Sequence, residues 1–138
     1  MPHWELRVST GSEAKTGVFR MQPFSATLEV DPTCLRDLRT RIATWLEDED
    51  INGGVSDAVV LAVHEAAASA IEHSPQTVSV DATVEGRLIT IVVASDERWT
   101  SPEVDHEGQR MRVVRAVMSA AEFEARPGRT SLRLEKRI

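Results

Sequence analysis

The sequence is short of several things, and each shortage closes off a class of protein. Cys34 is the only cysteine among 138 residues, so no intramolecular disulfide can form and a reducing, cytoplasmic setting is expected. It falls within a helical pattern and reads as a small core residue. Long hydrophobic runs are missing: the longest apolar stretch, Ala58 to Ile71, is broken by His64 and Glu65 and falls short of the roughly 20 residues a membrane span needs. The opening Met1-Pro2-His3-Trp4-Glu5 lacks a basic segment followed by an apolar one, so no secretory signal and no membrane association are expected. Positive charge is scarce as well. A formal charge of −6 and a pI near 5.2 argue against nucleic acid as a partner, because phosphate binding draws on clustered Lys and Arg. The one local basic cluster, Arg110, Arg112 and Arg115, fits a solvated helix face as well as it fits a phosphate site. Trp4, Trp45 and Trp99 are not interleaved with basic residues and form no stacking platform for single strands.

What is present suffices for one core: 41% of the residues are hydrophobic, enough for a single domain without metal or disulfide. Ser9 to Gly17 reads as a flexible loop after a short strand at Trp4 to Val8, so the chain divides into an extension over 1–16 and a domain over 17–138. Phe19 to Val30 contains a second strand, and Asp31-Pro32 predicts a helix with Asp31 as N-cap. Leu35, Leu38, Ile42, Trp45 and Leu46 form its apolar stripe, and Glu47 to Asp50 with Asn52-Gly53-Gly54 end it. Ser56 is placed to cap a second helix that runs to His73 and is stopped by Pro75. Val78, Val80, Ala82 and Val84 alternate with polar residues, and with the turn Glu85-Gly86-Arg87 and the Ile- and Val-rich Leu88 to Ala94 they predict a hairpin. After a loop from Ser95 to Glu107, Met111, Val114, Val117, Met118 and Ala121 mark a third helix, and Glu122 to Glu135 a final hairpin around Pro127-Gly128. Hairpins grouped between helices predict an α+β two-layer sandwich with a mostly antiparallel sheet and its helices on one face.

The second helix carries the informative pattern. Glu65, Ser69 and His73 follow at i, i+4 and i+8 and share a face with Ala62 and Glu72, while Val60, Val63, Ala67 and Ile71 line the other side. Spacing alone leaves that polar face open to two readings, a solvent-facing stripe or the wall of a cavity. His64-Glu65 begins a His-Glu-x-x-His zinc motif, but the required histidine is replaced by Ala68 and that reading fails. Cys34 is poorly placed as a nucleophile, and no Ser-His-Asp set can be argued from order alone. His73 is open between a pocket residue and a helix-terminal histidine beside the dipole.

The segment Leu61 to His73 resembles the N-box of the anti-sigma-factor serine kinases of the RsbW and SpoIIAB type, a branch of the GHKL or histidine kinase-like ATPases with the Bergerat fold. There a Glu is followed after three residues by Asn-Ala and then, two residues on, by His. Phe24-Ser25-Ala26 resembles the family's opening strand, and Gly128-Arg129-Thr130-Ser131-Leu132 its closing Gly-Thr hairpin, so the likeness covers all but the first residues. The resemblance implies ATP and Mg²⁺ as cofactors, with Glu65 as the catalytic carboxylate that orients or deprotonates a hydroxyl during phosphoryl transfer. Ser69 takes the position of the Mg-holding Asn; its hydroxyl is shorter than an amide and implies weakened or lost metal binding. Ser95, or Asp96 after a one-residue shift, takes the adenine-contacting Asp position, with Glu97 in place of a glycine before Arg98-Trp99. Gly108-Gln109-Arg110-Met111 stands for the Gly-x-Gly phosphate cradle at a helix start. There Arg110 either pairs with phosphate or fills its space, and the erosion of the other boxes favours filling. Thr130 belongs to the closing hairpin, and His73 to the end of the N-box. By resemblance the partners are a sigma factor and a STAS-domain anti-sigma antagonist, with homodimerisation. The function implied is regulation of bacterial transcription on a serine kinase scaffold with an eroded nucleotide site; the alternative is an active serine kinase of the antagonist.

Overall fold

A computed structural model describes residues 22–73, 77–95 and 107–138. The strand expected at Trp4 to Val8 and the loop expected after it, with residues 74–76 and 96–106, lie outside the described residues. The order is β1 (Phe24–Glu29), α1 (Cys34–Asp48), α2 (Gly53–His73), β2 (Thr77–Glu85), β3 (Leu88–Ser95), α3 (Glu107–Val117), β4 (Ala120–Arg126) and β5 (Arg129–Arg137). Among the described residues five strands form one sheet in the order β1-β2-β3-β5-β4, and every pairing there is antiparallel. The expected α+β two-layer arrangement is what the chain adopts.

Alternation decides which way the sheet faces. Phe24, Ala26 and Leu28, then Val78, Val80, Ala82 and Val84, then Ile89, Ile91 and Val93, and finally Leu132 and Leu134 are all buried, one row per strand at a period of two. The helices cover this side: α1 packs on β1, α2 on β2, β3 and β5, and α3 on β4. The α2 helix therefore lies between two neighbours that do not touch each other. That position explains why Ala62, Val63, Ala66, Ala67 and Ala70 are all fully buried: the helix is enclosed on most of its circumference, and small residues let the others approach. Ala62, expected on the polar face, is thus core. The apolarity of Gly53–Glu72, long enough by length and composition to span a bilayer, belongs to this packing.

Element ends depart from expectation in three places. The N-cap of α1 is Thr33, because Asp31 instead accepts the Thr33 backbone N–H at 2.8 Å and its hydroxyl at 2.9 Å, forming a turn ahead of the helix. The second helix begins at Gly53, ahead of Ser56; Gly53 has φ 66°, an entry that glycine takes without strain. The third helix stops at Val117, so Ala121 belongs to β4. Its end is taken over by the sheet: Lys136 Nζ donates to the Val117 carbonyl at 2.7 Å, and the Ser119 N–H donates to the Glu135 carbonyl at 2.8 Å.

The close of α1 stores strain. The Ile51 N–H bonds the Leu46 carbonyl at 2.9 Å and the Asp50 N–H the Glu47 carbonyl at 3.0 Å, the double closure of a Schellman motif. The left-handed residue is Asp50, with φ 63°, where glycine is usual. Its carboxylate also ends an acidic run, Glu47 to Asp50, at the negative pole of the helix, and burial pushes the Glu49 carboxyl above its ordinary range, against the Gln22 backbone hydrogen bond and with a smaller push from Asp48. Asp50→Gly is expected to stabilise the fold by about 0.5–1 kcal/mol, measured by urea unfolding; an unchanged or lower midpoint would contradict this account.

Candidate functional site

Two adjacent residues of α2 are gripped from opposite sides. Arg39 of α1 places Nη1 2.9 Å from His64 Nδ1. A guanidinium only donates, so Nδ1 accepts and the ring is neutral, with its proton on Nε2. From α3, Arg110 donates through Nη1 to Glu65 Oε1 at 2.7 Å, and through Nη2 and Nε to Glu72 Oε2 and Oε1 at 2.8 and 3.4 Å. Glu65 and Glu72 are seven residues apart, two turns of helix, so they lie one above the other on the side of α2 that meets α3. The Arg110 side chain is 31% exposed, Glu65 19% and Glu72 49%. Each charged contact here contributes about 1 kcal/mol, between the values for buried and for solvated ion pairs. Hydrogen bonding to Glu72 is the largest influence on Arg110 and raises its affinity for its proton; burial opposes this, and the hydrogen bond to Glu65 and the charges of both carboxylates add to the rise.

Three of the candidate residues carry buried hydroxyls. Ser69, Ser95 and Thr130 are the buried polar residues among those described, 1%, 1% and 5% exposed. Ser95 ends β3 directly opposite Thr130 of β5, both on the helix-facing side of the sheet. Ser69 and Ser95 each have polar partners, and no buried side-chain nitrogen or oxygen among the described residues lacks one. The remaining expected site residues are distributed otherwise. Gly108 and Arg110 occupy the first turn of α3, whereas Met111 is 1% exposed and packs within the hydrophobic core. His73 closes α2, and Asp96 lies outside the described residues, as does most of the loop Ser95 to Glu107. Glu72 and the Arg39–His64 pair were not singled out as site residues, although the spacing of Glu65 and Glu72 carries the signal for a shared cation.

A match to the model of the histidine kinase-like ATPase domain extends over residues 28–136. The chain belongs to the histidine kinase-like ATPase domain family. Solved structures place this histidine kinase-like ATPase domain in the same company. The RsbU and RsbW domains of Rv1364c from Mycobacterium tuberculosis superpose with a TM-score of 0.70 at 21% identity over 84% of this chain; the alignment spans 32% of that longer chain. A chain of the SiaB–SiaC complex from Pseudomonas aeruginosa aligns over 100% of this chain and 99% of its own, with a TM-score of 0.59 and 10% identity. No curated protein sequence matches at a significant level. The resemblance drawn from the N-box segment is borne out at the level of family and fold.

Family membership makes a nucleotide the first ligand to test against this geometry. Mg²⁺ keeps several waters when it binds phosphates, and a Ser69 hydroxyl that is 1% exposed and already partnered offers no room for such an ion. The carboxylate at Glu65 is taken up by Arg110. As they stand, these residues do not fit a metal-bound nucleotide.

His64 gives the site a pH dependence. Burial first, then the Arg39 charge, hold its pKa below the ordinary 6.5, against a smaller opposite pull from Glu65 and a further depression by Arg110. Between the two values the unfolded chain binds more protons than the folded one, so stability rises with pH there. The contribution is complete above pH 6.5 and is lost as pH falls through the depressed value. Thermal unfolding from pH 8 to 5 is expected to show wild type losing stability below 6.5 faster than His64→Gln; parallel curves would refute the assignment.

Proposed function

We propose that this domain regulates bacterial transcription by binding a sigma factor, a STAS-domain anti-sigma antagonist, or both, and that it does so without phosphoryl transfer. The observation that carries the reading is the Arg110 fork on Glu65 and Glu72. A carboxylate that is to take a proton from a hydroxyl must be free to reach it, and Glu65 is held by a guanidinium. The residue that would contact metal is a serine, Ser69, and the residue at the adenine position is Ser95, each buried and partnered. The likeness to a chain of a solved two-protein complex and to an RsbW domain supports a protein partner of the anti-sigma kind. In this reading residues 1–16 are an extension to the domain at 17–138, the protein works in the cytoplasm, and it pairs as a homodimer.

The test is partner binding by calorimetry against the STAS-domain proteins and sigma factors of the same genome. Glu65→Ala is expected to change the affinity of the cognate partner less than about threefold, since interface energy comes from a few surface anchors and the Glu65 side chain is only 19% exposed. Wild type should transfer no phosphate to the partner. Phosphorylation by wild type that disappears in Glu65→Ala would establish the kinase instead.

A further inference from the structure

The α3 helix is poorly equipped to hold itself in place. It has 11 residues, below the roughly 12–15 at which an isolated helix becomes marginally stable, and its fully buried side chains are Met111 and Val114. Its far end is tied to β5 by Lys136 on the Val117 carbonyl. Its near end is tied by Arg110, which reaches two separate turns of α2.

Arg110 is there for those contacts and not for the helix itself. A cation in the first turn opposes the helix dipole, so the position is unfavourable locally and must be offset by its partners. Those partners need it. Glu65 is largely withdrawn from water and, with Glu72 two turns further along α2, meets the same guanidinium; two carboxylates converging on one point of the interface repel each other and press the helices apart unless positive charge lies between them. That charge can come from outside, as a divalent cation carried by a nucleotide, or from inside, as a side chain.

We infer that Arg110 is an internal replacement for a bound metal–nucleotide: its guanidinium clamps α3 onto α2 and keeps the helical layer closed with no ligand present. This deepens the proposed loss of nucleotide chemistry and rests on it, but its test needs no partner protein, so the two can fail separately. Arg110 is here a positioning residue, acting on the place of α3 through Glu65 and Glu72.

Amide hydrogen exchange followed peptide by peptide on the full chain distinguishes the possibilities. In wild type, the α3 amides should be protected without ligand, and Mg-ADP at about 1 mM, enough to fill most of a site with a dissociation constant of about 0.1 mM, should leave them unchanged. Arg110→Ala should speed their exchange by about tenfold or more while leaving β2, β3 and α1 within about twofold, the pattern of a local opening. Arg110→Lys, which supplies charge without the fork, should fall between. If Arg110→Ala does not fold, Glu72→Gln serves: it removes one of the two anchoring charges and should speed α3 exchange about two- to fivefold. Unchanged α3 exchange in these variants, or wild-type protection that develops only with Mg-ADP, overturns the inference. A purely structural contact predicts equal loss throughout the sheet, which would overturn it as well.

Discussion

Titration of wild-type protein with Mg-ATP is expected to show binding in the high micromolar range or weaker. Under the proposed assignment, three positions that would hold the nucleotide are altered together. Ser69 replaces a longer amide and is sealed in the helix packing, Ser95 lies paired opposite Thr130 in the sheet, and Arg110 occupies the start of α3 with its charge committed to Glu65 and Glu72. A loss of only ~1.4 kcal/mol at each would multiply to roughly a thousandfold if the sites acted independently. Coupling among neighbours reduces that product, but opening the Arg110 fork adds a cost of its own, because two carboxylates must be exposed before a triphosphate can approach them. Calorimetry at low salt is the measurement. A submicromolar dissociation constant would show that the fork opens readily and that the three replacements still make a nucleotide site.

The other large effect lies in the sheet. Ile91 of β3 is fully buried, opposite Ala82 of β2 on one side and Leu134 of β5 on the other, on the face that meets α2. Ile91→Ala is expected to destabilise the fold by about 2–5 kcal/mol, the combined loss of transfer energy and a cavity that a central strand cannot collapse. With a urea dependence of about 2 kcal/mol per molar, this lowers the unfolding midpoint by roughly 1–2.5 M. A shift below about 0.5 M would mean that the helices settle onto the gap and that the α2–sheet contact is looser than the packing indicates.

The sheet was readable because its signals are local. The alternation Val78, Val80, Ala82, Val84 and the turn around Gly86 specify β2 and β3 within one short stretch, and the stripe from Leu35 to Leu46 specifies α1 in the same way. The helix ends were not, since each depends on a competing partner: Asp31 is drawn into a turn with Thr33, and Ala121 leaves the helical stripe because β5 supplies hydrogen bonds to the segment before it. Nor does the chain reveal that β5 inserts between β3 and β4, a consequence of long-range pairing. At the site, the spacing of Glu65, Ser69 and His73, with Glu72 beside them, marked a polar face of α2 without deciding between a solvent stripe and a cavity wall. It left Arg110 with two roles, because the choice depends on a contact made 45 residues away. The Arg39–His64 contact, 25 residues apart, had no sequence signal at all.

The place of β4 at the end of the sheet bears on how the protein keeps to itself at high concentration. An end strand offers a row of backbone groups to any other chain. Here that strand is seven residues long, and its outer face carries Glu122, Glu124 and Arg126, with Arg126 paired to Glu124 at 2.7 Å and Glu122 set opposite Arg133. A stranger docking there would have to strip water from fixed charges before gaining a single main-chain bond. The domain thereby resists fibril growth from that side.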